Sequence, residues 1–314
     1  MIELAPNPTL TCAALEARVV RYVELAPCFN AFIDCRTPGS EAKENFTIIG
    51  PGVSENPAQH VHIAEAHGYN IGGARQPPHC VNSQHSHDTA EVFVAHTGTW
   101  RFDLGEHGDD AQVVLHPGDT ISLPTGTFRG FTNIGDDIGF LWAVLGQDNP
   151  GRVTWAPRVF EMARDYGLVL LENGALVDTK AGQALPQGVA PMAPTSRETA
   201  AALTRYTPEQ AEALVVRDTA DTGVSSIIAP DAPLDWAHGF TLERIDLAAA
   251  ERFIGGGNER SGKQVRFVHR GSITIDCADG AMTLDEGDTV TLPDAFTREF
   301  VATERTTVFA VQAA

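Results

Sequence analysis

The sequence predicts an all-β fold made of two tandem barrels or sandwiches with a few short helices. Many short apolar segments are separated by turn residues every 8 to 12 positions, which is typical of antiparallel β proteins. The second half of the chain also repeats the first, which indicates a duplicated domain. A chain of 314 residues with 43% hydrophobic residues is long enough for two medium-sized domains.

The individual elements follow from the apolar runs and from the turn residues between them. Residues from about Ala13 to Ala26 combine helix formers with apolar residues and predict a short helix, and Phe29 to Asp34 predicts an extended segment. Apolar residues between Glu91 and Leu104 predict two strands that turn at Gly98. Further strands are predicted at Phe46 to Ile49, Val61 to Glu65, Tyr69 to Ala74, Val113 to Leu115 and Ile138 to Leu145.

The internal repeat is visible at several positions. The sequence AHGY at Ala66 to Tyr69 recurs as AHGF at Ala237 to Phe240, an offset of 171 residues. Gly118-Asp119-Thr120 recurs as Gly287-Asp288-Thr289 at an offset of 169. We therefore expect an N-terminal domain at residues 1–165, and a linker followed by a C-terminal domain at residues 166–314. Residues Thr179 to Pro208 are rich in Pro, Gly, Ala and Thr and are typical of an inter-domain linker.

One stretch of the first half contains residue types that bind metal ions at a spacing that core packing does not require. His85 and His87 are two positions apart, so their side chains lie on the same face of a strand. Glu91, on the next strand, can complete one side of a coordination sphere. Two histidines and one carboxylate with open positions are typical of non-haem Fe(II), and Mn, Zn, Ni or Co can also accept this set.

The same stretch resembles the two signature motifs of the cupin superfamily. The first motif, G-x5-H-x-H-x3,4-E-x6-G, is matched from His85 to Gly98, with His79 in place of its leading Gly. The second motif, G-x5-P-x-G-x2-H-x3-N, has Arg129 at its histidine position in this chain. Its other conserved positions are matched by Gly118, Pro124, Gly126 and Asn133.

The resemblance implies a bicupin, in which each half is a double-stranded β-helix, or jelly roll. In cupins that keep the last histidine of the second motif, its side chain points into the barrel beside the metal, so Arg129 is expected to point inward. A guanidinium cannot ligate a metal because it carries only donors. Two roles for Arg129 follow. It can pair with Glu91 and replace the metal, or it can act in catalysis by gripping a substrate carboxylate.

The second half provides an internal control for the metal site. The positions equivalent to His85, His87 and Glu91 are Asn258, Arg260 and Gln264, which are poor metal ligands together. Arg298 occupies the position that corresponds to Arg129. The sequence therefore predicts that the C-terminal cupin is free of metal.

Composition limits the partners and the compartment. A formal charge of −19 argues against nucleic acid and against anionic membranes. The five cysteines form no CxxC pair and predict reduced thiols, and no signal peptide or long apolar segment is seen, so we expect a cytoplasmic protein. A homodimer is expected from the resemblance to cupins.

Two functions of different classes agree with these observations. The first is a metal-dependent enzyme, with Fe(II) as the preferred ion. It resembles bicupin dioxygenases of the gentisate type and quercetinases, and would act on a small carboxylated aromatic or enol substrate. The second is a non-catalytic cupin that binds a small molecule without metal, with Arg129 neutralising Glu91. A metal-dependent isomerase or lyase is a third possibility.

Overall fold

The computed structural model describes residues 10–219, 223–254, 262–293, 296 and 299–314, and the chain forms mainly β-strands. Its first elements are α1 (Cys12–Glu16), β1 (Val19–Val20), a short 3-10 helix (Tyr22–Glu24), β2 (Glu44–Ile49), β3 (Val61–Ile63), β4 (Tyr69–Gln76), β5 (Val81–His87), β6 (Glu91–Thr97), β7 (Trp100–Leu104), β8 (Ala111–Leu115), β9 (Thr120–Leu123), β10 (Arg129–Asn133), β11 (Gly139–Gly146) and β12 (Val153–Trp155). Then follow α2 (Pro157–Asp165), β13 (Leu168–Leu170), β14 (Leu176–Asp178), α3 (Arg197–Ala201), α4 (Pro208–Glu212) and β15 (Val215–Val216). The last nine are β16 (Gly223–Ile228), β17 (Phe240–Leu247), β18 (Arg252–Ile254), β19 (Gln264–Arg270), β20 (Ile273–Cys277), β21 (Gly280–Leu284), β22 (Thr289–Leu292), β23 (Glu299–Ala302) and β24 (Thr306–Ala313).

The two halves have the same sheet order, which confirms the duplicated all-β fold. In the copy built mainly from the first half, one sheet has the order β15-β9-β6-β11-β4-β2-β3 and a second has the order β12-β5-β10-β7-β8. In the copy built mainly from the second half, the corresponding sheets are β1-β22-β19-β24-β17-β16 and β18-β23-β20-β21. Apart from β3, β12 and the separate pair β13-β14, each strand of one copy therefore has a counterpart in the other among the described residues.

The chain divides into two compact units, which we call the first and the second barrel. The first barrel consists of residues 26–218, and the second consists of the described residues of 1–25 and 219–314. This division differs from the expected boundary at residue 165. Residues 166–218 belong to the first barrel because β15 pairs with β9, and because Leu168, Leu170 and Ala200 are buried in its core. Much of the expected linker therefore packs against a barrel.

Two segments, which we call straps, account for the new boundaries. The first strap is residues 11–21 and the second is residues 207–217; each has a capping threonine, one helical turn or more, a two-residue strand and a final arginine. Arg21 forms an ion pair with Asp288 at 2.7 Å, and Arg217 forms one with Asp119 at 2.9 Å. The first strap therefore belongs to the second barrel, and the second strap belongs to the first.

Two predicted elements near the N-terminus differ from the structure. The predicted helix ends at Glu16 because Val19 and Val20 leave the helix to pair with β22. Phe29 to Asp34 is not extended, so this prediction was wrong. Successive turn hydrogen bonds, such as those from Cys35 N to Phe32 O (3.0 Å) and from Thr37 N to Asp34 O (2.9 Å), fold this segment.

The cysteines are only partly as expected. Cys28, Cys35 and Cys80 are buried free thiols, whereas Cys12 and Cys277 form a disulfide, so the prediction of five reduced cysteines was wrong. The two partners are 265 residues apart in sequence, but the first strap brings their Cα atoms to 5.1 Å. None of the helices in the described residues is long and apolar enough to cross a membrane.

Candidate metal centre

The predicted ligands converge in the first barrel where β5 of one sheet leads into β6 of the other. His85 and His87 lie near the end of β5, and Glu91 begins β6 after a three-residue turn. All three side chains are buried, and one ligand atom from each lies within 4.8 Å of the others. In the part of the chain that the structure describes, this is the one set of three His, Cys, Asp or Glu side chains with such geometry. The structure therefore brings the predicted residues together.

His85 is held in one tautomer by its own strand. Its Nδ1 lies 2.7 Å from the carbonyl oxygen of Ser83, and a carbonyl only accepts, so Nδ1 is the donor. This leaves the lone pair on Nε2, the arrangement found when a backbone carbonyl orients a metal ligand. Burial, and then the charge of Arg129, hold the pKa of His85 well below its ordinary value. The ring is therefore neutral near pH 7, as a metal ligand must be.

His87 has an unsatisfied nitrogen. Its Nε2 lies 3.5 Å from Oε2 of Glu91, while its Nδ1 is buried and has no hydrogen-bond partner among the described residues. Burial, followed by the charge of Arg129, also holds the pKa of His87 well below its ordinary value. A buried polar atom without a partner costs about 1–3 kcal/mol. This cost is an argument for an ion or ligand that completes the site.

Arg129 is fully buried and contacts Glu91 directly. A guanidinium nitrogen donates a short hydrogen bond to Oε2 of Glu91, and Nη1 lies 3.3 Å from the carbonyl oxygens of His85 and Thr127. Burial raises the pKa of Glu91, and the guanidinium of Arg129 opposes this rise. Because an arginine stays protonated, the charge of Arg129 favours the ionised form of the carboxylate. The predicted pairing with Glu91 is thus observed.

The expected contact of Arg129 with a substrate carboxylate stays a prediction. A cavity of about 70 Å³ opens beside the three candidate ligands, and Arg129 is not among the described residues that line it. Phe93 and Phe131 give the cavity apolar walls. Its volume is enough for several water molecules, or for an ion and a very small ligand. In this structure Arg129 is linked to the cavity through its hydrogen bond to Glu91, which lines the cavity.

A buried polar network supports His85, and sequence reasoning did not find it. Lys43 and Asp34 form an ion pair with no exposure of either side chain, and Lys43 Nζ donates to Oδ1 of Asn82 at 2.9 Å. Asp34 also accepts the backbone N–H of Ser83 at 2.9 Å, which fixes the start of β5. A single lysine in a polar loop carries no signal of burial in the sequence, because lysine is rarely buried.

A second support is the pair formed by Trp155 and Glu55. The indole ring lies 5.2 Å from the ring of His85, and its Nε1 donates to Oε1 of Glu55 at 2.6 Å. Burial raises the pKa of Glu55 to about 8. Glu55 thus holds the indole of Trp155, and the indole packs against the imidazole ring of His85 and restricts its orientation. No motif or regular spacing links Glu55 with Trp155, which are 100 residues apart in the chain.

The donor set fits a divalent metal ion. Two neutral imidazoles and one ionised carboxylate supply nitrogen and oxygen ligands of the type that Fe(II), Mn, Ni and Zn accept. The unsatisfied Nδ1 of His87 and the adjacent cavity agree with an additional group at this place. The nearby positive charge of Arg129 opposes a cation, but it is already balanced by Glu91.

The second barrel has a different residue at the glutamate position. Gln264 begins β19 as Glu91 begins β6, and its Oε1 accepts a hydrogen bond from Nη2 of Arg266 at 2.6 Å. The other positions of the predicted control, Asn258, Arg260 and Arg298, lie outside the described residues. That this barrel is free of metal stays a prediction.

The repeated histidines outside the site make matching contacts with the backbone. Nδ1 of His67 lies 2.6 Å from the carbonyl oxygen of Glu65, and His238 makes the same contact with Trp236 at 2.6 Å. His96, on the opposite face of β6 from Glu91, packs edge-on against Phe140 with ring centroids 6.0 Å apart.

Comparisons with known proteins agree with this architecture. Residues 72–145 match the sequence profile of the cupin domain. A comparison with curated protein sequences gave no match. Among solved structures, the bacterial pirin YhhW from Escherichia coli in complex with nickel(II) is similar, with a TM-score of 0.55 and 10% identity over 94% of this chain and 97% of that chain.

Two further structures show the same fold. Vicilin from Capsicum annuum has a TM-score of 0.56 and 15% identity, covering 94% of this chain and 85% of that chain. Oxalate decarboxylase from B. subtilis has a TM-score of 0.51 and 9% identity, covering 94% and 77%. Identities this low show the fold alone. The chain therefore contains a cupin domain and has the bicupin fold.

Proposed function

We propose that this bicupin is a metal-dependent enzyme whose first barrel binds one divalent ion through His85, His87 and Glu91. The observation that carries the proposal is the convergence of three buried ligand atoms within 4.8 Å beside a cavity. The depressed pKa of both histidines supports it, because burial keeps both rings neutral and able to ligate. The similarity to a pirin solved with nickel(II) agrees with a metal in this fold.

The proposed reaction is a dioxygenation of a small substrate, such as a carboxylated aromatic or an enol. Bound Fe(II) supplies open coordination positions at which a substrate and O2 can react. The chain contributes orientation and charge. Ser83 and Trp155 fix the ring of His85, Arg129 favours the ionised form of Glu91, and the phenyl rings of Phe93 and Phe131 form an apolar part of the cavity wall. An isomerisation or lyase reaction would use the same site without O2.

A specific observation favours a second candidate, a metal-free cupin that binds a small molecule. Arg129 already neutralises Glu91, so this barrel is electrostatically complete without a cation. A divalent ion at the same place must tolerate a neighbouring positive charge in a medium of low dielectric constant. On this alternative, the cavity beside the histidines would bind an uncharged ligand.

Elemental analysis by mass spectrometry separates the two candidates. The wild-type protein is expected to hold close to one Fe, Mn, Ni or Zn per chain, and His87→Ala is expected to lose it. His116→Ala is the matched control because the His116 side chain is 67% exposed, and it is expected to keep the metal. Absence of metal from the wild type after anaerobic loading with Fe(II) would favour the metal-free candidate.

Consumption of O2 then tests the reaction class. The metal-loaded wild type is expected to consume O2 in the presence of a carboxylated aromatic or enol substrate, and the His87→Ala variant is not. Turnover of such a substrate without O2 uptake would show an isomerase or lyase instead. We also propose a homodimer in the cytoplasm, which light scattering and cell fractionation test.

A further inference from the structure

The second barrel has a cavity at the place that the metal site occupies in the first. In the first barrel, paired positions on four neighbouring strands form one row across the cavity: Thr47, Gly72, Ala143 and Phe93. The same register in the second barrel gives the row Ser226, Glu243, Ala310 and Arg266. Both rows line the cavity of their own barrel. The two cavities are therefore equivalent by position.

The next row confirms the equivalence and shows the exchange of residue types. In the first barrel it consists of Asn70, Leu145 and Glu91. In the second it consists of Thr241, Gln312 and Gln264. Gln312 stands in place of Leu145, and the uncharged Gln264 stands in place of Glu91, while the backbone pairing is the same.

The cavity of the second barrel is much larger and more polar. Its volume is about 640 Å³, compared with about 70 Å³ in the first barrel, and lies in the range of small-molecule pockets. Glu243 stands at the position of Gly72 in the first barrel, and Arg266 stands at the position of Phe93. Apolar side chains of Ile245, Phe253 and Val311 complete the wall.

The guanidinium of Arg266 is held in place by its neighbours. The residue is only 6% exposed, Nη2 donates to Oε1 of Gln264 at 2.6 Å, and Nη1 donates to the carbonyl oxygen of Val265 at 3.1 Å. These bonds hold the charged group at the wall of the cavity. A cation fixed in this way in a cavity is a binding group for a carboxylate.

The cavity also has a group of opposite charge. Glu243 lies on the same row as Arg266, two strands away, and only the small side chain of Ala310 stands between them. Neighbouring strands are about 4.8 Å apart, so the Cα atoms of the two charged residues are about 10 Å apart. A ligand seated over Ala310 can therefore contact both side chains.

We propose that the second barrel binds a small carboxylate that also carries an amino or hydroxyl group. The ligand carboxylate pairs with Arg266, its N–H or O–H group donates to Glu243, and Thr241 and Gln312 add hydrogen bonds at the side. This site is separate from the metal site and does not depend on it. The second barrel would in this way have a binding function of its own at the place of the first barrel's metal site.

Isothermal titration calorimetry tests the site with a panel of L-amino acids and 2-hydroxy acids. Each is matched with the carboxylic acid of the same skeleton that lacks the amino or hydroxyl group. At least one amino or hydroxy acid is expected to bind, and its matched acid is expected to bind at least tenfold more weakly. No binding by any member at up to about 10 mM, a concentration that detects even millimolar affinity, would overturn the proposal.

Variants identify the binding groups. Arg266→Gln and Glu243→Gln are each expected to weaken binding about tenfold or more, because each removes a charge-assisted hydrogen bond. Ala310→Leu fills the cavity without removing a charge and is expected to abolish binding, so the test does not depend on the folding of the arginine variant. His87→Ala, in the other barrel, is the control and is expected to bind normally. Unchanged binding in both Ala310→Leu and Arg266→Gln, or equal binding of the matched acids, would contradict the proposed site.

Discussion

The two barrels share a backbone and differ in the side chains that face their cavities. Glu91 and Gln264 occupy the same register, each paired with a leucine of the neighbouring strand, and each begins a seven-residue strand. In the first barrel this position belongs to a compact set of metal-binding residue types. In the second it is an amide beside a fixed guanidinium. The fold therefore tolerates exchange of the side chains inside the barrel while its strand pairing is retained.

The residues that are the same in both barrels explain why the backbone is retained. Gly118 and Gly287 both have positive φ angles, of 95° and 89°, which only glycine adopts at low cost. The following residues, Asp119 and Asp288, both accept hydrogen bonds from an arginine of a strap. Turns and strap contacts thus specify the fold, and the inward positions remain available for function.

The largest expected effect comes from the ion pair that is found in the first barrel. Arg129→Leu leaves the buried carboxylate of Glu91 without its partner, so we expect the free energy of unfolding to fall by about 3–5 kcal/mol. Urea unfolding measured by circular dichroism tests this expectation in metal-free protein.

The double variant Arg129→Leu/Glu91→Leu is the control for this pair. It is expected to regain most of the lost stability, because apolar residues often replace a buried ion pair at little cost. Arg205→Leu, which removes an exposed arginine from its pair with Asp110, is expected to change little. A loss in Arg129→Leu no larger than in Arg205→Leu would show that the buried pair does not stabilise the barrel.

The straps provide a second comparison. The first strap is fixed by the disulfide between Cys12 and Cys277, whereas the second has Pro208 at the position of Cys12. Removing a native disulfide typically costs about 2–4 kcal/mol. Cys12→Ser is therefore expected to destabilise the second barrel by about this amount and to leave the first barrel unchanged. Hydrogen exchange followed by mass spectrometry measures the protection of each barrel separately. Equal loss of protection in both barrels would contradict this expectation.

Glu55 gives the first barrel a pH dependence of its own. Its pKa is raised from 4.5 to about 8 by burial, so the folded protein keeps a proton that the unfolded chain releases. The free energy of unfolding therefore falls as the pH rises, by up to about 1.4 kcal/mol per pH unit. Below about pH 6.5 the depressed pKa of His85 and His87 makes the free energy of unfolding rise with pH instead. The effect of Glu55 is therefore measured between about pH 6.5 and 8.

Unfolding in urea at several pH values measures this slope. Glu55→Gln keeps the shape of the side chain and removes the titration, so its stability is expected to be nearly independent of pH in the same window. An equal slope in the wild type and in Glu55→Gln would assign the pH dependence to another group.

The smallest expected effect concerns the helix of the second strap. Thr207 and Gln210 form a capping box at its N-terminus, in which each side chain bonds the backbone N–H of the other residue. Thr207→Ala is expected to cost about 1 kcal/mol. Thr11→Ala is the matched change in the first strap, where the disulfide also fixes the helix, and it is expected to cost less. Thermal unfolding measures both, and an equal loss would show that the disulfide gives the helix no added support.

The sequence predicted the parts of the molecule that depend on local pattern. Strand alternation placed His85 and His87 on one face, and glycines such as Gly98 marked turns, which the structure confirms with a positive φ of 83°. The motif spacing brought Glu91 into the same set. The repeat also predicted that the halves share one fold, because equal spacing of turns imposes equal strand pairing.

Other features depend on contacts between residues far apart in sequence. Phe29 to Asp34 looks like a strand, but turn hydrogen bonds and the contact of Ile33 N with Glu55 fold it differently. The burial of Lys43, the exchange of the straps and the disulfide have no periodic signal. Similarly, the polar row that contains Glu243 and Arg266 becomes visible only when the strand register is known.

The most direct test of the central claim converts the first barrel's carboxylate into the amide of the second. Glu91→Gln is expected to lower the metal content from close to one ion per chain to near zero, as measured by elemental mass spectrometry after loading with Fe(II). Gln264→Glu is the reciprocal control and is expected to leave the content unchanged. If Glu91→Gln, folded by circular dichroism, keeps the full metal content of the wild type, the proposed site with two histidines and one carboxylate is contradicted.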